Sequence, residues 1–326
     1  MRLPIASATI YIPRSSCAMP DVLGFPQLAG GAVVTVGTFD GVHAGHREIL
    51  RRLQERAAAR GLPALVVSFR PHPLEVVNPS AAPMLLTPDG EQLEAIADSG
   101  GLLMAVIPFT PELARFTAAE FVEHILLERY HMRELVVGYD HGLGRGRQGD
   151  AATLRALGER RGFAVEVVEA ALDASGVPIS SSAIRTSIAH GDLARAQRAL
   201  GRAYGFNGTV VPGHQRGRAL GYPTLNIQLS SARKLLPPEG VYAVRARMAR
   251  GAFGGMMNLG ARPTFGEFDR TLEVHLFDAS GDWYGETISV DLVRRLRDTT
   301  RFESIDALVA QLGRDAADAR LALTQA

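Results

Sequence analysis

Between residues 32 and 60 the hydrophobic period of the chain changes, and that change leaves little freedom of fold. Ala32, Val33, Val34 and Val36 make a short apolar run with almost no polar alternation, as expected of a strand buried on both faces. Gly37 and Gly41 follow, removing side chains where the backbone must turn sharply. From about Ala44 to Arg60 the pattern is helical, with Ile49, Leu50, Leu53 and Ala57 on one face. A doubly buried strand running straight into a helix predicts a parallel sheet covered by helices. The joining stretch, Gly37-Thr38-Phe39-Asp40-Gly41-Val42-His43-Ala44-Gly45-His46, sets His43 and His46 three apart on the first helical turn, so both can face one point. A helix N-terminus offers unpaired N–H groups and partial positive charge, which suit phosphate. Imidazoles beside it add hydrogen bonds or charge where a phosphoryl oxygen becomes more negative. Helix capping and zinc binding are the competing readings. The short helical zinc motif spaces its histidines four apart around an acid, and His-Ala-Gly-His has neither feature.

The same grammar continues to about Ile188. Leu62–Phe69, Leu102–Ile107, Glu134–Gly138 and Phe163–Val168 read as strands, with a helix over Ala151–Arg161 before the last. Ligands in such sheets bind beyond the carboxyl ends of the strands, where residues 37–46, 70–73 and 138–147 all fall. After a predicted helix over Ser182–Gly201 the pattern changes. Short extended segments at Phe206–Val211, Leu225–Leu229, Gly240–Ala246, Ala252–Leu259, Leu272–Leu276 and Thr287–Leu292, punctuated by glycine and proline, predict an antiparallel barrel. A last amphipathic helix runs from about Ser304 to Leu323 with Leu308, Val309, Leu312 and Ala316 on its apolar face. Two domains are therefore expected, 20–200 and 201–326, a division that 326 residues can support with two cores.

Composition narrows the partners. With 35 basic and 34 acidic residues, a net charge of +1 and no long basic run, nothing points to nucleic acid or an anionic membrane. The single cysteine, Cys17, cannot form an internal disulfide, and no apolar run approaches membrane-spanning length. The amino-terminal segment lacks the basic start and continuous apolar core of a secretory signal. A cytoplasmic enzyme acting on small molecules, as a monomer or weak homo-oligomer, is the expectation.

Further segments carry chemistry. Gly144-Arg145-Gly146-Arg147-Gln148-Gly149 formally matches a dinucleotide fingerprint, with Glu169 downstream, but its first glycine lies several residues past the strand and two arginines crowd the approach; a mobile phosphate-facing loop fits better. Pro71-His72-Pro73 holds a histidine in a rigid segment that cannot continue a helix. Ser180-Ser181-Ser182-Ala183-Ile184-Arg185 offers capping hydroxyls and a guanidinium able to bind phosphate oxygens bidentately. In the second half, Gly213-His214-Gln215-Arg216-Gly217-Arg218-Ala219-Leu220-Gly221 joins two strands and suits a phosphate cradle, without the Gly-Lys-Ser/Thr loop of common NTPases. Thr224 and Asn226 then alternate along an extended segment, so both project to one face as hard oxygen ligands suited to magnesium. Glu273 alternates with Leu272, Val274 and Leu276; such an acid is ordinarily solvated, but in a pocket its carboxylate can take a proton from a substrate hydroxyl.

These segments resemble a known family. Gly37-Thr38-Phe39-Asp40-Gly41-Val42-His43-Ala44-Gly45-His46 looks like the signature of the flavin-adenylylating branch of the nucleotidylyltransferases, and residues 213–226 with Glu273 resemble bacterial riboflavin kinase. The resemblance implies an α/β, Rossmann-like adenylyltransferase domain followed by an antiparallel Greek-key barrel kinase domain with a C-terminal helix. It implies ATP-dependent phosphorylation of riboflavin to FMN, then adenylylation of FMN to FAD with release of pyrophosphate, with Mg2+ required. Carried over position by position, it makes Glu273 the kinase base, and His43, His46 and Arg185 the charge-stabilising groups of adenylylation. It assigns Gly37, Thr38, Phe39, Gly41, Ser181, Ser182, Gly213, Arg216, Gly217, Arg218 and Gly221 to nucleotide, and Thr224 and Asn226 to the metal. It gives His72, Asp140 and Arg297 to flavin. Tyr139-Asp140-His141-Gly142-Leu143-Gly144 departs from the family in lacking its two phenylalanines, as does Thr299, where an acid is common. An adenylyltransferase for another phosphorylated substrate, with the barrel as a flavin-binding regulatory module, is the alternative.

Overall fold

The computed structural model describes residues 9–11, 28, 30–88, 90–213, 217, 220–261 and 270–325. They divide into two compact units: residues up to Met84 with Gln92–Ser180, and Leu85–Glu91 with the chain from Ser181 onward.

The first unit is built on β1 (Thr9–Tyr11), β2 (Ala32–Val36), β3 (Ala64–Arg70), β4 (Leu102–Pro108), β5 (Met132–Gly138) and β6 (Ala164–Val168), in the order β1-β4-β3-β2-β5-β6. Strands β2 to β6 pair in parallel, as the change of period predicts. Strand β1 joins β4 antiparallel at the edge, which nothing in the amino-terminal composition announced. Ala32, Val33 and Val34 are fully buried because separate apolar clusters cover the two faces of the sheet. Helix α1 (Ala44–Arg60) buries Leu50, Leu53 and Ala57 and stops at Gly61, whose φ of +62° suits a residue without Cβ. Glu134, fully buried in β5, is matched by Arg56 Nε at 2.6 Å and by Arg60, so a charge inside an apolar strand ties β5 to α1. The remaining helices are α2 (Pro73–Val77), α3 (Gly90–Ala97), α4 (Ala118–Phe121) and α5 (Ala151–Arg161).

The second unit opens differently from expectation. The single helix over Ser182–Gly201 is two, α6 (Ser181–Ala189) and α7 (Leu193–Leu200). Gly191 takes a φ of +77°, which ends the first helix, and Asp192 starts the second by accepting Arg195 N–H at 2.9 Å. Strands β7 (Tyr204–Val211), β8 (Leu225–Leu229), β9 (Gly240–Met248), β10 (Gly251–Ala261), β11 (Arg270–Leu276) and β12 (Thr287–Arg297) close a barrel in the order β10-β11-β8-β7-β12-β9, every pairing antiparallel. Helix α8 (Ile305–Thr324) is capped by Ser304 and packs on Ala243, Met256 and Phe277. Leu312 and Ala316 meet that cluster as expected, but the deepest positions are Asp315, Ala319 and Ala322. Small residues let the helix approach closely, and Asp315 is held there by Arg297.

Residues 85–91 form a strap on this unit. Leu85 N–H donates to Arg233 O at 2.7 Å, Leu235 N–H to Leu85 O at 2.8 Å, and Asn207 N–H to Glu91 Oε1 at 2.9 Å. The Lys234 side chain is 1% exposed; its ammonium pairs with Glu91, donates to Leu86 O at 2.6 Å and lies 4.4 Å from the Tyr204 ring centroid. A buried ammonium is tolerable only with such partners.

Candidate active sites

The turn between β2 and α1 is held in a conformation few residues adopt. Gly37 N–H extends the ladder one step, donating to Val67 O at 3.0 Å, and the chain then leaves the sheet. Phe39 and Val42 both have positive φ, 46° and 43°, and Gly41 lies at 89°. For residues with a Cβ this region is strained, so the surrounding bonds must fix it. Val42 N–H donates to Phe39 O at 3.1 Å, Arg47 Nη1 to Val42 O at 3.1 Å, and the Gln92 side-chain amide to Thr38 O. His43, buried, is the N-cap: its Nδ1 accepts His46 N–H at 3.4 Å. With Nδ1 accepting, the ring's proton sits on Nε2 as a donor. The His43 and His46 rings stack with centroids 3.7 Å apart at 19°, and Phe39 meets His46 edge-on at 5.2 Å. Gly45 fits closely here: a Cβ would lie 3.2 Å from the His43 ring, a tight contact. The first turn of α1 holds no acid, so its dipole stays available to an anion.

His72 is likewise a cap. Its Nδ1 accepts Leu74 N–H at 3.2 Å, Glu75 returns the bond to His72 N–H, and Pro73 occupies the first helical position of α2. The same logic leaves Nε2 as the protonated nitrogen.

The glycine-rich loop after β5 is pinned rather than mobile. Leu143 and Gly149 exchange two backbone hydrogen bonds at 3.0 and 2.9 Å, and Arg145 N–H donates to Phe116 O at 2.7 Å. A Cβ on Gly144 would lie 2.4 Å from Ala118 N, and one on Gly149 2.6 Å from Ala118 Cβ. These glycines therefore serve packing against α4, which accounts for the fingerprint spacing without a dinucleotide. Asp140 is exposed, with its carbonyl accepting from Arg147 Nη2 at 2.7 Å. His141 lies beneath, its Nε2 buried and without a hydrogen-bond partner. Burial, and then the nearby Arg147 charge, push its pKa down to about 4.

Ser181, Ser182 and Arg185 lie on the first turns of α6, the helix with which the second unit begins.

In the barrel, register assembles the site. Asn258 faces Glu273 across β10 and β11, and Glu273 faces Asn226 across β11 and β8, so three polar side chains share one face. Leu272, Val274 and Leu276 point the other way and are buried. Thr224 precedes β8 by one residue and alternates onto the face of Asn226. Two glycines after β7 come close to this row and to the chain leading into it. A Cβ on Gly213 would overlap the Asn226 amide at 1.9 Å, so only glycine passes there. Gly217 comes as near, a Cβ meeting Tyr222 O at 2.3 Å, and Gly221 turns at a φ of +80°. His275, two residues beyond Glu273 on the same face, bonds Pro223 O through Nδ1 at 2.7 Å and packs edge-on to Tyr222 at 5.3 Å. Glu273 is thus half-buried between Asn226 and Asn258 rather than on an open solvated face. Arg216 and Arg218 fall outside the described residues. Arg297 forms a bidentate ion pair with buried Asp315 at 2.8 and 2.7 Å, and Gln311 supports the same carboxylate. It braces β12 against α8.

Gln92 and His275 have no motif around them and were missed. Their signal is pairwise geometry, absent from a single sequence.

A family model described as FAD synthetase matches residues 26–183, and one described as riboflavin kinase matches residues 200–323. The bifunctional riboflavin kinase/FMN adenylyltransferase of Escherichia coli K12 is 39% identical over 291 residues, covering 89% of this chain and 92% of its own. Its Pseudomonas fluorescens counterpart is 38% identical with the same coverage. A crystal structure described as a macrolide-efflux protein from Streptococcus pneumoniae superposes with a TM-score of 0.78 at 32% identity, covering 90% of this chain and 93% of that one. Among the described residues here no helix is long and apolar enough to cross a membrane. The fold and sites define a two-module nucleotide-dependent transferase. The chain belongs to the family of bifunctional riboflavin kinase/FMN adenylyltransferases.

Proposed function

We propose that the barrel phosphorylates riboflavin and that the α/β module adenylylates the FMN so formed. The registered row of Asn226, Glu273 and Asn258 beside a glycine-lined segment carries the kinase reading. Glu273 takes the proton of the ribityl 5′-hydroxyl as that oxygen bonds to the γ-phosphorus, the β–γ bridging bond breaks and ADP leaves. Thr224 and Asn226 fit magnesium as hard oxygen donors on one face, and when bound it supplies charge neutralisation for the polyphosphate. Gly213, Gly217 and Gly221 let the backbone approach the nucleotide closely, and Arg216 and Arg218 add charge there.

In the α/β module an FMN phosphate oxygen attacks the α-phosphorus of ATP and pyrophosphate leaves. That nucleophile is already ionised, so the site needs no base, only fixed donors for the charge developing in the transition state. The N-terminus of α1, the backbone of Thr38, Phe39 and Gly41, His43 Nε2–H and His46 supply them, and Gly37 gives the nucleotide room where the chain leaves the sheet. Ser181 and Ser182 are assigned to nucleotide, Arg185 to charge stabilisation in adenylylation, and His72 and Asp140 to flavin, on the resemblance of their motifs. Arg297 serves flavin binding indirectly, by bracing the end of β12. The enzyme works in the cytoplasm, as a monomer or weak homo-oligomer. Chromatography of products from riboflavin and Mg-ATP tests the reading: FMN followed by FAD supports it, and FMN alone refutes the adenylylation step.

A further inference from the structure

The strained turn that carries His43 and His46 is fastened from outside by one side chain the mechanism does not use. Gln92, on the first turns of α3, is 7% exposed. Its Nε2 donates to Thr38 O and, at 3.2 Å, to Ser68 Oγ, which is fully buried in β3. The position of that bond gives it consequence. Gly37 N–H makes the last rung between β2 and β3, at Val67 O. Where the ladder would continue, β2 has turned away, and the Gln92 amide takes the place of the missing strand for the Thr38 carbonyl. The very next residue, Phe39, has a φ of +46°, and its ring packs edge-on against His46 at 5.2 Å. His46 in turn stacks on His43. A half-buried carbonyl that loses its donor favours local rearrangement, and rotation of the Thr38–Phe39 peptide would move Phe39 and release the His46 ring.

We propose that Gln92 is a positioning residue for adenylylation, holding the Thr38 carbonyl so that Phe39 keeps His46 aimed at the reacting phosphate. This rests on the assignment of FMN adenylylation to the α/β module. Because both bonds are donated by one nitrogen, the role needs a donor, not an amide. Gln92→Leu removes it, Gln92→Glu sets oxygen against oxygen, and Gln92→Lys keeps N–H donors at similar reach.

The test is steady-state kinetics on the full chain with FMN and Mg-ATP, alongside riboflavin phosphorylation as internal standard. Gln92→Leu and Gln92→Glu should lower kcat for FAD formation ten- to a hundredfold with KM for FMN within about threefold. Gln92→Lys should stay within about threefold of wild type, and all three should phosphorylate riboflavin normally. The imidazole NMR signals of His46, assigned with His46→Ala, should shift in the Leu and Glu variants and not in the Lys variant. Equal kcat in wild type and Gln92→Leu, or an equal loss in Gln92→Lys, would overturn the proposal. Should Gln92→Leu fail to fold, the contrast between Lys and Glu decides alone. A wild-type protein that makes no FAD would instead overturn the reading beneath it.

Discussion

The two phosphate sites proposed for this chain solve one problem by opposite means. In the α/β module ten consecutive residues build the cradle, and its charge comes from a helix end with two stacked imidazoles. In the barrel three strands bring Asn258, Glu273 and Asn226 into line. The nucleophiles explain the difference. A phosphate monoester arrives ionised and needs only help with accumulating negative charge, so an acid in the first turn of α1 would oppose the reaction. A hydroxyl must lose a proton, so the barrel needs a carboxylate close to a polyphosphate. That proximity of like charges in turn calls for a cation and oxygen ligands for it. The chemistry of the attacking oxygen thus dictates which site carries an acid.

Substitutions can break this contrast, beginning with the base. Glu273→Gln should lower FMN formation by about 10²- to 10⁴-fold while leaving FAD formation from supplied FMN intact, which separate assays would show. His46→Ala should do the reverse, lowering FAD formation about 10²- to 10³-fold so that FMN accumulates from riboflavin. A loss of both activities in either variant would mean the modules are not chemically separate.

Stability should distinguish the regions too. Lys234→Ala leaves the Glu91 carboxylate of the strap charged and without its ammonium counter-ion, and denaturant unfolding of the barrel should show a loss of about 3–5 kcal/mol. Lys234→Met with Glu91→Leu removes both charges and should recover most of it. The smallest effect belongs to the loop after β5. His141 titrates near 6.5 unfolded and about 4 folded. Between those values the unfolded chain binds the extra proton, so stability is full above about 6.5 and falls as pH drops toward 4. His141→Phe should flatten that acid limb, by at most about 3 kcal/mol.

Much of this was legible because the first cradle is contiguous. Val34, Gly37, His43 and Gly45 sit within a dozen residues, and each local preference agrees with its neighbours. The barrel strands were readable to within a few residues, because alternation such as that around Glu273 survives in a single segment. Other features were hidden for stated reasons. Gly191 and Asp192 look like helix interior until one asks which residue tolerates left-handed backbone and which can restart a helix. Lys234 and Glu91 stand 143 positions apart, and nothing local marks either as buried. The pairing of Arg297 with Asp315 was hidden because Asp315 lies in a helix whose apolar face was placed one position away. The glycines at 144 and 149 mimic a nucleotide motif while answering to Ala118.

Mixing the two disabled enzymes tests the central claim most directly, that each module holds a complete and separate phosphate site. Glu273→Gln and His46→Ala, each supplied with riboflavin and Mg-ATP, should yield little FAD alone. Combined in one vessel they should make FAD from riboflavin at a substantial rate, since FMN released by one barrel can be adenylylated by the other variant's intact α/β module. A mixture making no more FAD than the two separate reactions together would contradict the account.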